Sequence, residues 1–169
     1  MLAEIKAYLE TLEELRSQVS NMVKDLPPEG LNWRPSLPAG ADPTNSLGVL
    51  AVHVAGSEHG WIAETVGALS KTRVRDDEFK YVATSAKESL EPLTAVAKET
   101  EDVLSNITAE QLEGTIEKDG RTMPLRWIIH HVIYHYSLHI GHMQLTYQLW
   151  NKGMAATSPR WFDRLPKGH

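Results

Sequence analysis

Residues 126–150 constrain the fold more than any other part of the chain, because they contain no proline and only one glycine. Such a run predicts one long helix, at about residues 125–151, that ends before Gly153. Near the N-terminus, apolar residues recur every three or four positions and predict an amphipathic helix at about residues 2–26. The proline pair that follows stops this helix.

Two further helices are predicted between these ends. One covers about residues 47–69 and begins after residues 44–46, whose polar side chains can cap backbone N–H groups. It contains four glycines, which predicts close approach of another backbone or a ligand, since each glycine costs about 1 kcal/mol relative to alanine. The other covers about residues 85–107 and starts at Ser85 or four residues later. Residues 71–81 between them lack a helical period and predict a long surface connection.

Shorter connections are predicted before the second and last helices. The loop at residues 31–43 is broken by prolines and a glycine. Further on, Asp119-Gly120 is a turn pair with short extended flanks, which predicts a small hairpin. Thr122 and Pro124 are predicted to cap and open the last helix.

The C-terminal residues 154–169 are predicted to form an irregular tail, with Trp161 and Phe162 as anchors. Four long helical patterns without a series of strands indicate an all-α fold. We therefore expect a single domain over residues 1–169, a four-helix bundle with a long connection between helices two and three and an irregular C-terminal tail.

Charge and cysteine content exclude several classes of function. The net charge is −5 and the isoelectric point is near 5.9, so nucleic acid is not an expected partner. Cysteine is absent, which excludes disulfides, thiolate metal ligands and a cysteine nucleophile. The charged N-terminus is unlike a signal peptide, and no window approaches the roughly 18 apolar residues of a membrane span. We expect a soluble, cytoplasmic protein.

The chain has eight histidines, and four of them share one face of the last predicted helix. His131, His135, His139 and His142 fall within about 80° on a helical wheel, whereas His130 points away. Neighbours three or four residues apart can converge on one metal ion, which leaves three pairs open. A stripe of imidazoles predicts a metal site, because a metal satisfies several buried nitrogens at once.

A third ligand must come from another helix, because a zinc site usually takes at least three ligands from the protein. The second predicted helix offers His53 and His59. His53 shares a face with small and apolar residues, which suits an inward position. His59 lies about 120° around the helix and is expected at the surface or behind the ligands. Spacing alone does not choose between the pairs on the last helix.

Three segments resemble the DinB/YfiT-like family of metal-dependent four-helix bundles. They are LGVLAVHVAGSE at residues 47–58, HYSLHIGH at residues 135–142 and LNWRP at residues 31–35. The similarity spans about residues 1–150, with the segments in the family's order. The resemblance implies that a divalent metal ion is held by His53, His135 and His139. Three further residues are candidates for the surrounding pocket: His131, His142 and Trp33.

The resemblance also implies a function. Some relatives are thiol S-transferases or isomerases that use low-molecular-weight bacterial thiols such as mycothiol or bacillithiol, with the metal activating the thiol. We therefore expect a metal-dependent thiol S-transferase that acts on a small-molecule thiol and an electrophile. The alternatives are a metal-dependent hydrolase and a non-catalytic metal- or ligand-binding stress-response bundle. Family members often form homodimers, which makes a second copy of the chain a candidate partner.

Three imidazoles leave a coordination position for water or substrate, the pattern of a catalytic zinc site. Zinc is the expected ion, and nickel, iron and manganese are alternatives that the same ligands accept. Glu58 and Glu64 are candidates for a general base, although carboxylates on helices usually lie at the solvated surface. Three tryptophans are expected to serve in packing: Trp61, Trp127 and Trp150.

Overall fold

The four predicted helices are present, joined by shorter elements. The computed structural model describes residues 1–155, so the predicted anchors Trp161 and Phe162 and most of the predicted tail lie outside the described residues. The elements in chain order are α1 (Ala3–Val23), α2 (Pro28–Asn32), α3 (Leu47–Glu58, continued by a π-helix over His59–Val66), α4 (Arg75–Glu78), α5 (Ala86–Leu104), α6 (Ala109–Glu113), β1 (Thr115–Lys118), β2 (Arg121–Pro124) and α7 (Leu125–Trp150). No helix within residues 1–155 has the length and apolar character needed to cross a membrane.

Helices α1, α3, α5 and α7 form the bundle. Helix α1 packs against α5 and α7, and α3 packs against the same two helices. The core between the helices is made of aliphatic side chains that are almost fully buried, among them Ile5, Leu12, Val19, Leu50, Val54, Val96, Leu104, Ile129, Val132 and Met143. The predicted all-α bundle, with its long connection between the second and third long helices, is confirmed.

Serine side chains cap the starts of α3 and α5. The hydroxyl of Ser46 accepts a hydrogen bond from the N–H of Val49 at 3.3 Å, and the hydroxyl of Ser85 accepts one from the N–H of Glu88 at 3.2 Å. Each cap satisfies a backbone donor that has no partner within the helix. Of the two predicted starts for α5, the earlier one is therefore correct, and Pro92 lies inside the helix.

The second predicted helix does not continue as a regular α-helix to its end. After α3 the backbone widens into the π-helix, at whose end the N–H of Gly67 donates to the carbonyl of Ile62 at 2.8 Å. The hydroxyl of Thr65 also donates to the carbonyl of Gly60 at 2.6 Å, again across five residues. The prediction of one uniform helix is wrong, because hydrogen bonds of five-residue spacing replace those of four-residue spacing here.

The predicted hairpin before α7 is present as the antiparallel pair of β1 and β2. Its turn residues Asp119 and Gly120 have φ of 50° and 72°, and positive φ at both positions is the turn type that Asp-Gly favours. The predicted cap at Thr122 is wrong, because its hydroxyl donates across the hairpin to the carboxylate of Glu117. Pro124 occupies the cap position of α7 without a side-chain hydrogen bond.

A buried carboxylate joins the four bundle helices. Glu58 of α3 is fully buried. Its Oε1 accepts hydrogen bonds from Arg16 of α1 and Thr100 of α5, both at 2.6 Å, and its Oε2 accepts one from Tyr136 of α7 at 2.7 Å. Burial raises the pKa of Glu58, although the charge of Arg16 and the hydrogen bonds oppose this. The expectation that this carboxylate lies at the solvated surface is therefore wrong.

Replacing Tyr136 with phenylalanine removes one donor to Glu58 and leaves a buried carboxylate oxygen without that hydrogen bond. We expect Tyr136→Phe to lower the free energy of unfolding, measured by urea titration, by about 1–3 kcal/mol. This is the usual cost of an unsatisfied buried group. Tyr134 is the matched control, since it lies on the same helix and is 66% exposed. Tyr134→Phe should change stability by less than about 0.5 kcal/mol. Equal effects of the two substitutions would contradict the role of Glu58.

Candidate metal centre

Helices α3 and α7 bring the three predicted ligands together. The ligand nitrogens of His53, His135 and His139 all lie within 4.8 Å of one another, and Nε2 of His53 is 3.1 Å from Nε2 of His135. His135 and His139 are one turn apart on α7, and their ring centroids are separated by 4.4 Å. The convergence of these three imidazoles, which form the histidine triad, is a feature of the structure. Their role as metal ligands stays a prediction.

Glu78 of α4 fixes the orientation of His53. Its Oε2 lies 2.7 Å from Nδ1 of His53, and Nδ1 carries the proton because an ionised carboxylate can only accept. The lone pair of His53 is then on Nε2, the nitrogen that faces His135. Arg73 donates to both oxygens of Glu78, at 2.7 and 3.1 Å. Burial alone would raise the pKa of Glu78, but the hydrogen bonds from His53 and Arg73 hold it below its ordinary value.

Two glycines make room for this carboxylate and its arginine. A Cβ atom at Gly56 would overlap the carboxylate of Glu78, and a Cβ atom at Gly60 would lie 2.9 Å from Cδ of Arg73. These contacts explain why this helical segment tolerates glycines despite their entropic cost. The predicted close approach therefore occurs, and the approaching groups are side chains of the long connection.

Burial keeps the two imidazoles on α7 neutral. Burial, followed by the neighbouring imidazoles of His139 and His53, lowers the pKa of His135 to about 3. Burial, followed by His53 and His142, lowers the pKa of His139 to about 4. Both rings are therefore neutral at pH 7, the form in which imidazole binds metals. Nδ1 of His135 is also buried and has no hydrogen-bond partner within residues 1–155.

The other predicted pocket residues lie at different places around the triad. His142 is exposed and its Nδ1 is 3.4 Å from Nδ1 of His139, so it lies at the solvent edge of the site. The ring centroid of His131 is 6.1 Å from that of His135. Trp33 is half-buried at the C-terminal end of α2, and the histidine cluster found within residues 1–155 does not include it.

An aromatic cluster borders the triad at His131. The ring of Trp127 stacks on His131 with centroids 5.1 Å apart, and Trp61 lies edge-on to both rings. Nζ of Lys118 is 4.3 Å from the ring centroid of Trp61, a cation–π contact. Burial lowers the pKa of His131. Trp61 packs against the core as expected, whereas Trp127 is 47% exposed and packs only in part.

His59 and Glu64 belong to a separate polar network that ties the connection to the bundle. His59 is hydrogen-bonded to Glu99 at 2.7 Å and to Thr72 at 3.0 Å. Glu64 accepts hydrogen bonds from the backbone N–H groups of Thr72 and Arg73 at 2.6 and 2.8 Å. Glu64 is therefore not a free general base, and His59 is not part of the triad.

Sequence reasoning missed Glu78 and Arg73, the residues that orient His53. Both lie in the segment predicted as a surface connection, where no periodicity marks an inward-facing residue. The available signal was indirect, namely the glycines on the neighbouring helix. Two of those glycines, Gly56 and Gly60, face these two side chains.

The arrangement of nitrogen atoms fits a divalent metal ion. Tetrahedral ligands about 2.0–2.1 Å from zinc are about 3.3 Å apart, close to the 3.1 Å between the Nε2 atoms of His53 and His135. An imidazole supported by a carboxylate is also typical of zinc sites. His53, His135 and His139 would hold the ion, and three protein ligands leave a position for substrate.

Glu78→Gln tests the support of His53. The neutral amide cannot match the charged hydrogen bond to Nδ1, so we expect metal affinity to fall by about 10–100-fold, measured by competition with a chromophoric chelator. Asp77 is the matched control, because it lies beside Glu78 in α4 and is exposed. Asp77→Asn should leave the affinity unchanged. A loss of affinity in both variants would assign the effect to general surface charge.

Stability of the metal-free protein should depend on pH through the α7 histidines. The folded-state pKa values of about 3 for His135 and about 4 for His139 lie below the unfolded value near 6.5. The contribution of these two histidines to the free energy of unfolding is therefore fully present above about pH 6.5. It falls at lower pH because the unfolded chain binds protons that the folded protein does not. We expect urea titrations from pH 7 to 4.5 to show a smaller decline for His135→Leu than for wild type. Identical declines in the variant and the wild type would show that His135 does not cause the pH dependence.

Comparison with known proteins agrees with this fold. The sequence model of the DinB superfamily matches residues 11–143. The crystal structure of a DinB-like protein from Bacillus cereus ATCC 10987 is similar with a TM-score of 0.69 and 21% identity, covering 91% of this chain and 96% of that one. A conserved protein from Enterococcus faecalis has a TM-score of 0.68 and 16% identity, covering 88% and 98%. No curated protein matches the sequence. Because the superfamily match spans most of its length, the chain belongs to the DinB superfamily.

Proposed function

We propose that the protein is a metal-dependent thiol S-transferase whose ion is held by His53, His135 and His139. The observation that carries the proposal is the convergence of three imidazoles, one of them oriented by Glu78. Zinc is the proposed ion, with nickel, iron and manganese as alternatives. A cytoplasmic location fits the proposal, because thiols stay reduced there.

The proposed substrate is a thiol rather than water because the triad lacks a free carboxylate within residues 1–155. Glu78 is engaged by His53 and Arg73, and Glu58 is buried among the bundle helices. A bound divalent ion would lower the pKa of a thiol or water that coordinates it. A free thiol has a pKa of about 8.5, far below that of water, so the thiol needs the smaller shift in pKa where no base assists.

The residues of the chain hold the reactants in place. His53, His135 and His139 would bind the ion, His142 lies at the solvent edge, and the bundle excludes water from the buried side. The thiolate sulfur forms a bond to the electrophilic carbon while the bond from that carbon to its leaving group breaks. The leaving group departs to solvent as an anion with the electron pair of that bond, and the thiol proton also passes to solvent. A metal-dependent hydrolase and a non-catalytic metal-binding bundle are the alternative functions, and a homodimer stays a prediction.

Metal analysis combined with thiol conjugation tests the proposal. We expect about one ion per chain in the wild type and in His130→Ala, and loss of the ion in His135→Ala, by plasma mass spectrometry. His130 is the matched control because it lies on α7 and bonds Tyr8 instead of the triad. Conjugation of monochlorobimane to bacillithiol or mycothiol should follow the metal content. Cleavage of an ester without any thiol would favour the hydrolase. Bound metal without turnover would favour the non-catalytic binding protein, and absence of metal would overturn the proposed metal site.

A further inference from the structure

A recess beside the triad has no part in holding the metal. It is a cleft of about 290 Å³ between the start of α3 and the second half of α7. Leu50, one turn before His53 on α3, forms part of its wall. His142 forms another part, and its Nδ1 is 3.4 Å from Nδ1 of His139. A molecule bound in the cleft would therefore lie next to the candidate metal centre.

Most of the cleft wall is apolar. Pro35, Leu50, Leu145 and Leu149 contribute to it, and Leu145 and Leu149 are 59% and 51% exposed. A single exposed leucine is ordinary on a protein surface. Two of them that line one concave recess form an apolar surface that a ligand can cover.

One polar side chain of the cleft wall has a buried atom without a hydrogen-bond partner in the described part of the chain. It is the hydroxyl oxygen of Thr44. Thr146, which is only 9% exposed, and Asn45, which is half-buried, also line the cleft. Since a buried polar group without a partner is unfavourable, the cleft suits a ligand that carries its own hydrogen-bonding group.

The cleft also selects against charged ligands. None of the described residues that line it is an aspartate, glutamate, lysine or arginine. A carboxylate or phosphate would lose its hydration there without gaining an ionic partner. The low-molecular-weight thiols of the proposed reaction need not enter this cleft, because the triad itself offers a coordination position.

We propose that this cleft binds the apolar body of a small, uncharged electrophile that carries a carbonyl or amide group. The hydroxyl of Thr44 holds that polar group by a hydrogen bond, while Leu145 and Leu149 cover the apolar part. The electrophile then lies beside the thiol coordinated at the triad. This inference rests on the proposed transferase function and names its second substrate class.

Hexanamide, which has an apolar chain and one amide, is the probe. In NMR titrations of the full-length protein, we expect shifts at the amides of Leu145 and Leu149. Butanamide should bind more than tenfold more weakly, because each buried methylene contributes about fourfold. Hexanoate should also bind at least tenfold more weakly. Equal binding of hexanoate and hexanamide, or shifts confined to another surface, would overturn the proposal.

Matched variants locate the binding. Leu145→Ala should weaken hexanamide binding about tenfold, and Thr44→Val should weaken it by a similar factor without changing the shape of the side chain. Leu138→Ala is the control, since Leu138 is a leucine of α7 with similar exposure, 58%, and does not line the cleft. Equal effects of Leu145→Ala and Leu138→Ala would overturn the proposal.

Repeating the titration after metal removal separates the two proposals. We expect hexanamide to bind the metal-free protein, because the cleft is lined by residues other than the triad. If hexanamide binds but the metal-loaded protein transfers no thiol, the proposed binding cleft stands and the proposed transferase function is rejected. If the protein transfers thiol but does not bind hexanamide, only the proposed role of the cleft is rejected.

Discussion

The buried carboxylate of Glu58 receives one donor from each of the other three bundle helices, and the arrangement of the three histidines depends on it. Arg16, Thr100 and Tyr136 approach it from α1, α5 and α7 at 2.6 to 2.7 Å. Such a group is costly to bury and strongly directional once buried. Tyr136 directly follows His135, so the hydroxyl of Tyr136 on Glu58 fixes the rotation of α7 about its axis. That rotation turns the imidazoles of α7 toward α3.

A second buried carboxylate, Glu78, sets the other half of the site. It comes from the long connection, which helix packing alone does not place, and it reaches His53 across the small surface of Gly56. Arg73 donates a hydrogen bond to this carboxylate and balances its charge. The two carboxylates thus have different roles, since Glu58 orients the helix that carries two of the proposed ligands and Glu78 selects the nitrogen that the third one presents.

Periodicity in the sequence predicted the parts of this structure that depend on repeated apolar contacts. The bundle helices and the shared face of His135 and His139 follow from spacing, while the turn at Asp119-Gly120 follows from its two residue types. The choice of these two histidines came from the family resemblance, because spacing allowed three pairs. The roles of Glu58 and Glu78 were not predictable, since one polar residue on a helix or in an aperiodic connection gives no sign of being buried. The π-helix arises from local hydrogen bonds that no hydrophobic pattern records.

The distribution of charge around the triad supports the proposal that an anionic sulfur forms there from a neutral thiol. Residues 127–150 of α7 contain no aspartate, glutamate, lysine or arginine, and the three imidazoles are uncharged when they act as ligands. Neutral ligands leave the full charge of a divalent ion uncompensated. Since Glu78 is already paired to Arg73, the anion that balances the charge of a bound ion would come from the proposed substrate. A low-dielectric wall on the protein side strengthens this attraction, so the arrangement favours the ionised form of the thiol.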